Sequence, residues 1–160
     1  MSCFQLIGLS AGQFSDLYSL SDEQLAPLGI LRVRADSQPG FPCRISLRDA
    51  EPGEELLLLP YEHQPATSPY RASGPIFVRV HAQQSILPPG EIPPYVALRQ
   101  ISLRAYDAHH MMLDAEVRPG DAVAAEIEHL FSNPQVAYIH LHNAKRGCFS
   151  CRVERVPEGR

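Results

Sequence analysis

Apolar and polar residues alternate along most of this chain. A period of two marks β-strands with one buried face. The alternation predicts strands over 30–35, 44–47, 55–60, 76–81, 100–106, 111–117, 136–142 and 149–156. The run Leu56-Leu57-Leu58-Leu59 does not alternate and suits a central strand covered on both faces. Helical periodicity is scarce. Ser21 and Gln24 have capping-box spacing, but Pro27 and Gly29 hold the helix there to about two turns. The clear helix lies over 122–132, where Val123, Ile127, Leu130 and Phe131 form one apolar stripe. Asp121 can cap it and Asn133-Pro134 ends it. Proline-rich loops occupy 37–42, 61–74 and 85–95. The expected architecture is α+β: a single domain over 1–160, with a mainly antiparallel, mixed sheet, one clear helix packed on it and long proline-rich loops. Long loops within a compact domain often build the functional site.

The segment 138–152 concentrates reactive side chains, and burial predicts how they face. On its first strand Ala137, Ile139 and Leu141 are apolar, while Tyr138, His140 and His142 share the other face. On its second strand Phe149, Cys151 and Val153 are apolar, opposite Cys148, Ser150, Arg152 and Glu154. Both apolar sets belong on one core, which calls for a three-residue loop of Lys145, Arg146 and Gly147, with Gly147 left-handed. His140, His142, Cys148 and Arg152 then project from one surface, and Cys151 points into the core. The spacing Cys148-Phe-Ser-Cys151 therefore does not read as a working Cys-x-x-Cys site. By the same alternation the strand over 100–107 shows Ser102, Arg104 and Tyr106. If the strands share a sheet, Arg79, Arg104 and Arg152 converge on His140 and His142. The alternative is a solvated histidine face, with Arg152 paired to Glu154 and Cys148 packed under a loop. His63, His81, His109, His110 and His129 read as surface residues.

Composition narrows the picture. The chain has 160 residues, 44% hydrophobic and 20% charged, with a formal net charge of −4. That acidic balance argues against nucleic acid as a partner. No apolar run reaches a membrane span, and the N-terminus lacks the basic and apolar regions of a secretory signal. A cytoplasmic, reducing setting follows, in which Cys3, Cys43, Cys148 and Cys151 stay free thiols. Lys145 is the only lysine among the 14 basic residues; the others are arginines, whose planar forks suit carboxylate or phosphate.

Several stretches resemble one family. They are Cys43-Arg44, the run Ser-Pro-Tyr-Arg-Ala-Ser-Gly-Pro-Ile-Phe-Val-Arg over 68–79, Ser-Leu-Arg-Ala-Tyr-Asp over 102–107, Tyr-Ile-His-Leu-His-Asn-Ala over 138–144, and Gly147-Cys148-Phe149. Together they are similar to a bacterial family catalogued as domain of unknown function 1203. The resemblance implies a small, single-domain bacterial protein and no transferable activity. Its motifs fall on Cys43, Arg44, Tyr70, Arg71, Arg79, Arg104, Tyr106, Asp107, His140, His142, Asn143 and Cys148.

Function is not legible from these residues, and the cofactor is unknown. The leading expectation is a small anionic metabolite in an Arg/His/Cys-lined pocket. Arg44, Tyr70, Arg71, Arg79, Arg104, Tyr106, Asp107, Asn143 and Arg152 would bind it. His140 and His142 would act as acid or base, and Cys148 as nucleophile, its thiolate favoured by neighbouring positive charge. The same charge would keep His142 mostly neutral. A second expectation is a zinc site using His140, His142 and Cys148, perhaps with Cys43. A third is a non-catalytic interaction module built on the proline-rich loops, which would show an exposed apolar patch.

Overall fold

Strand-forming residues dominate the fold as they do the sequence, but they divide between two sheets. A computed structural model describes residues 4–157; Cys3 and both ends of the predicted 1–160 span lie outside the described residues. The strands are β1 (Phe4–Ile7), β2 (Leu31–Arg34), β3 (Pro42–Cys43), β4 (Arg48–Asp49), β5 (Glu55–Gln64), β6 (Ala72–Arg79), β7 (Gln100–Tyr106), β8 (Met112–Pro119), β9 (Tyr138–Asn143) and β10 (Phe149–Arg155). One sheet runs β1-β10-β9-β7-β8 and is antiparallel throughout. The other runs β2-β5-β6-β3-β4 and is mixed, because β3 lies parallel to β6.

The helices are α1 (Asp22–Leu25), α2 (Pro94–Ala97) and α3 (Val123–Phe131). Ser21 and Gln24 form the capping box of α1. The stripe Val123, Ile127, Leu130 and Phe131 of α3 packs on Ile101, Leu103, Ile139, Leu141, Cys151 and Val153 of the first sheet. Fully burying one such aliphatic side chain stabilises by roughly 1.5–3 kcal/mol, so this stripe fixes the helix on that face. A second core holds Leu57, Leu59, Ile76 and Val78 of the other sheet with Phe14, Leu25 and Ile45. Phe149 of β10 belongs to this second core. The face of the first sheet turned away from α3 is therefore turned toward the second sheet.

Three sequence expectations need correction. The single sheet is two sheets, because β5 and β6 pair with each other and with β2 and β3 rather than with β7 or β9. Residues 44–47 are not a strand but a turn between β3 and β4, with Leu47 at φ 53°. Its Ile45 and Leu47, both buried, mimic the apolar alternation of a strand. The loop expected over 61–74 is partly strand: β5 continues past Pro60 to Gln64 and β6 begins at Ala72.

The first strand and this turn lock together through backbone. Leu9 N–H donates to Arg44 O (2.9 Å) and Gly8 N–H to Ser85 O (2.8 Å). The approach is so close that a Cβ on Gly8 would collide with the Ile45 carbonyl. Among the described residues, no helix is long and apolar enough to cross a membrane.

Candidate functional site

The β9–β10 hairpin begins in the register that burial demands. Glu154 lies opposite Tyr138, Val153 opposite Ile139, Arg152 opposite His140 and Cys151 opposite Leu141. Cys151 is buried in the α3 core, away from the histidines. Nearer the turn the register slips, and Phe149 stands opposite His142 with Ser150 as the extra residue of a β-bulge. The loop is accordingly four residues, 144–147, rather than three: Asn143 N–H donates to Cys148 O (2.9 Å) and Gly147 N–H to Asn143 O (2.7 Å). Gly147 takes the expected left-handed conformation, φ 77°.

That slip changes who faces whom. Phe149, expected in the α3 core, joins the histidine face, and Cys148 falls opposite Asn143 instead of beside His142. The shared face predicted for His140, His142 and Cys148 holds for the two histidines only. One extra residue inverts a strand's alternation, and the apolar pattern gives no warning of it.

The histidine face is closed, not solvated. His140 and His142 are 3% and 0% exposed. Arg104 lies opposite His140 and Ser102 opposite His142 on β7. From β5, His63 covers them: its ring lies 4.9 Å from His142, 6.3 Å from His140, and stacks on Phe149 at 5.5 Å. His63 was expected at the surface. Extending the alternation Leu57, Leu59, Tyr61 past Pro60 places it on the inner face, and that was the available signal.

All three imidazoles are held neutral. Burial pushes His140 down to about 3 and His142 to about 4, with surrounding arginines and histidines adding to it. Burial and then Arg104 lower His63 as well. The neutrality expected for His142 is thus present, but desolvation is its main cause. His142 Nδ1 lies 3.0 Å from Gly147 O, and a carbonyl only accepts, so Nδ1 carries the proton. His142 Nε2 and His140 Nδ1 are buried without a hydrogen-bond partner.

Arg44 joins the sheets. It is 1% exposed, yet no carboxylate among the described residues pairs with it. Its Nε donates to Phe149 O (2.7 Å), Nη1 to Pro42 O (2.6 Å) and Nη2 to Cys148 Sγ (3.1 Å). Asn143 Nδ2 is 3.8 Å from the same sulfur, and Asn143 Oδ1 has no partner.

These groups border an open cleft of about 810 Å³. Its polar wall includes Arg44, His63, Arg99, Lys145, Arg146 and Cys148, and Phe77 and Phe149 add aromatic surface. Among the described residues no aspartate or glutamate lines it. Arg99 is neutralised by Asp49 through two contacts of 2.5 and 2.9 Å. Lys145 and Arg146 are exposed on the hairpin loop. Cys148 is half-buried, whereas Cys43 and Cys151 are buried.

The other residues singled out by sequence are placed less favourably. His140 and His142 do not line the cleft; they lie against Phe149 and His63, which do. Arg79 does not converge on them, because its Nη1 pairs with Glu54 (2.7 Å) and its Nε with Ser46. Arg152 pairs with Glu154 (2.8 Å) and stacks over Tyr138. Arg71 pairs with Glu62 (2.8 Å) at the surface. Cys43 Sγ accepts from Arg79 N–H (3.2 Å). Of the expected ligand-binding residues Arg44 lines the cleft and Arg71 does not, and His63, expected at the surface, joins the wall. Arg104 does sit among the histidines, its Nε on Ser102 Oγ (3.3 Å). Tyr106 stacks on Tyr138 at 5.2 Å, with Tyr70 at its edge, 6.1 Å away. Asp107 Oδ1 accepts from His109 and Met111 N–H groups, which makes it a turn residue. The zinc set of His140, His142 and Cys148 does not assemble. Among the described residues no group of three or more His, Cys, Asp or Glu is placed to hold a metal ion.

The model of a family described as "Protein of unknown function (DUF1203)" matches residues 40–155, a span that includes Arg44, His63, the hairpin and Cys148. No curated protein and no solved structure matches the chain.

Proposed function

The chain belongs to the DUF1203 family, and from that premise we propose that it binds a small anionic molecule in the cleft beside the β9–β10 hairpin. One observation carries the reading: the wall collects Arg44, Lys145 and Arg146 with no aspartate or glutamate among the described residues that line it. Inside a concave wall such charges attract an anion more strongly than they would on a flat surface. Arg44 donates to two carbonyls and a sulfur, but no carboxylate among the described residues balances its charge, which a carboxylate or phosphate would do. The volume, about 810 Å³, suits a metabolite-sized ligand. Phe149 and Phe77 supply the apolar contact such sites combine with a few charges.

Roles within the proposal differ from the sequence expectation. Lys145 and Arg146 attract the anion, Arg44 anchors it, and neutral His63 offers a hydrogen bond. His140 and His142 hold His63 and Phe149 in place rather than meeting the ligand. A free thiol in the wall suits the cytoplasmic, bacterial setting expected from sequence. The cations of the cleft wall, Arg44, Lys145 and Arg146, favour this reading over the interaction module.

The test is alkylation of the thiols, read by mass spectrometry. Cys148 should label before Cys43 and Cys151, and added phosphate or citrate should slow Cys148 alone. In the double variant K145E/R146E the labelling should persist and the protection should vanish. Labelling of Cys148 that no anion slows would remove the proposed site.

A further inference from the structure

Cys148 is the one thiol among the described residues that reaches the cleft, and its surroundings select among the things a thiol can do. We propose that Cys148 is a nucleophile that exchanges with disulfides of anionic low-molecular-weight thiols. This rests on the anion-binding reading above and names the class of anion: one that carries sulfur.

Three observations converge. The sulfur accepts an N–H from Arg44 at 3.1 Å, and Arg44 is a buried cation with no carboxylate partner. A guanidinium so placed puts a charged donor directly on the sulfur that would attack. Asn143, nine-tenths buried and lining the same cleft, keeps its Oδ1 without a partner. A peptide-like ligand with N–H donors would satisfy that oxygen after a small rotation of the amide. Lys145 and Arg146 bring charge to the cleft mouth without engaging any described acid.

The chemistry needs little else. Acyl transfer would require donors aimed at a developing oxyanion; disulfide exchange requires a thiolate and access. The Cys148 proton leaves to solvent. Its sulfur attacks one sulfur of the incoming disulfide, the S–S bond breaks, and a new S–S bond joins Cys148 to half of the ligand. The other half departs as thiolate and takes up a proton. Cys148 is oxidised and the small disulfide, the named oxidant, is reduced. Once Cys148 is a neutral disulfide sulfur, the Arg44 Nη2–H loses its acceptor, and the carboxylate of the attached half can replace it. Cys151, buried on the far side of β10, is not placed to resolve the adduct, so reduction must come from a second small thiol.

The experiment follows adduct formation by intact mass with two probes of opposite charge, oxidised glutathione and cystamine. At low salt oxidised glutathione should react at least about tenfold faster, since steering by a cationic cleft favours the anion. Added salt and the K145E/R146E variant should collapse or invert that preference. Cys148→Ser should give no adduct with either probe. Unreactive S-methylglutathione should slow the reaction by occupying the cleft. If it protects Cys148 from alkylation while oxidised glutathione forms no adduct, anion binding stands and the exchange proposal falls. If it does not protect and cystamine reacts as fast as glutathione disulfide, both fall.

Discussion

His140 and His142 sit where imidazoles are costly to charge, and that has a consequence for stability. In the unfolded chain a histidine titrates near 6.5; in the fold burial lowers His140 to about 3 and His142 to about 4. Between those values the unfolded chain binds more protons than the folded one. Stability is therefore full above about pH 6.5 and falls as the pH drops toward 4, by at most about 1.4 kcal/mol per unit for each histidine. Urea denaturation between pH 7 and pH 5 checks this, because carboxylates change little there. His140→Gln should flatten the slope; a slope unchanged by it would refute the assignment. Arg44 offers a second residue-scale prediction. Arg44→Met strands the carbonyls of Phe149 and Pro42, at about 1–3 kcal/mol for each buried group left unsatisfied. Arg44→Lys should recover little, since an ammonium cannot reach three partners in one plane. Denaturant midpoints read both.

The hairpin shows how far alternation carries. It correctly set Arg152 opposite His140 and Cys151 into the α3 core, because residues 138–141 and 151–154 obey a period of two. It failed at Ser150, since a bulge is chosen by backbone fit and the pull of a second core on Phe149, neither of which alternation encodes. It also stopped short at Pro60, where the proline suggested a loop, and so left His63 at the surface. Two glycines separate the effects that hold these elements. Gly147 has open space around it but φ 77°, so Gly147→Ala should cost about 1–2 kcal/mol from backbone strain alone. Gly8 has no room, so Gly8→Ala must push β1 from the turn after β3 and should destabilise well beyond that. Equal shifts in the two thermal midpoints would contradict the packing described.

At the scale of the whole molecule the sequence supported an α+β class but not the division into two sheets. The number of sheets depends on which strands pair across long separations. Most of the longer strands present a similar half-apolar face, so the pairing is decided by three-dimensional fit. The cleft was invisible for the same reason. Arg44 comes from a turn of one sheet and Cys148 from a hairpin of the other, 104 residues apart. Arg79, Arg104 and Arg152 looked equivalent to Arg44 in sequence, yet Arg79 and Arg152 are spent on Glu54 and Glu154, and Arg104 stays among the histidines. Glu54, 25 residues from Arg79, and Glu154, two residues from Arg152, decide which arginines are neutralised. The central claim, that this junction of the two sheets holds an anion, is tested most directly by titrating isotope-labelled protein with inorganic phosphate and with citrate while following amide and side-chain resonances. Saturable shifts confined to His63, Asn143, Lys145, Arg146, Gly147 and Cys148, weakened by salt and lost in K145E/R146E, are the predicted result. Shifts that never saturate, or that centre elsewhere on the molecule, would contradict it.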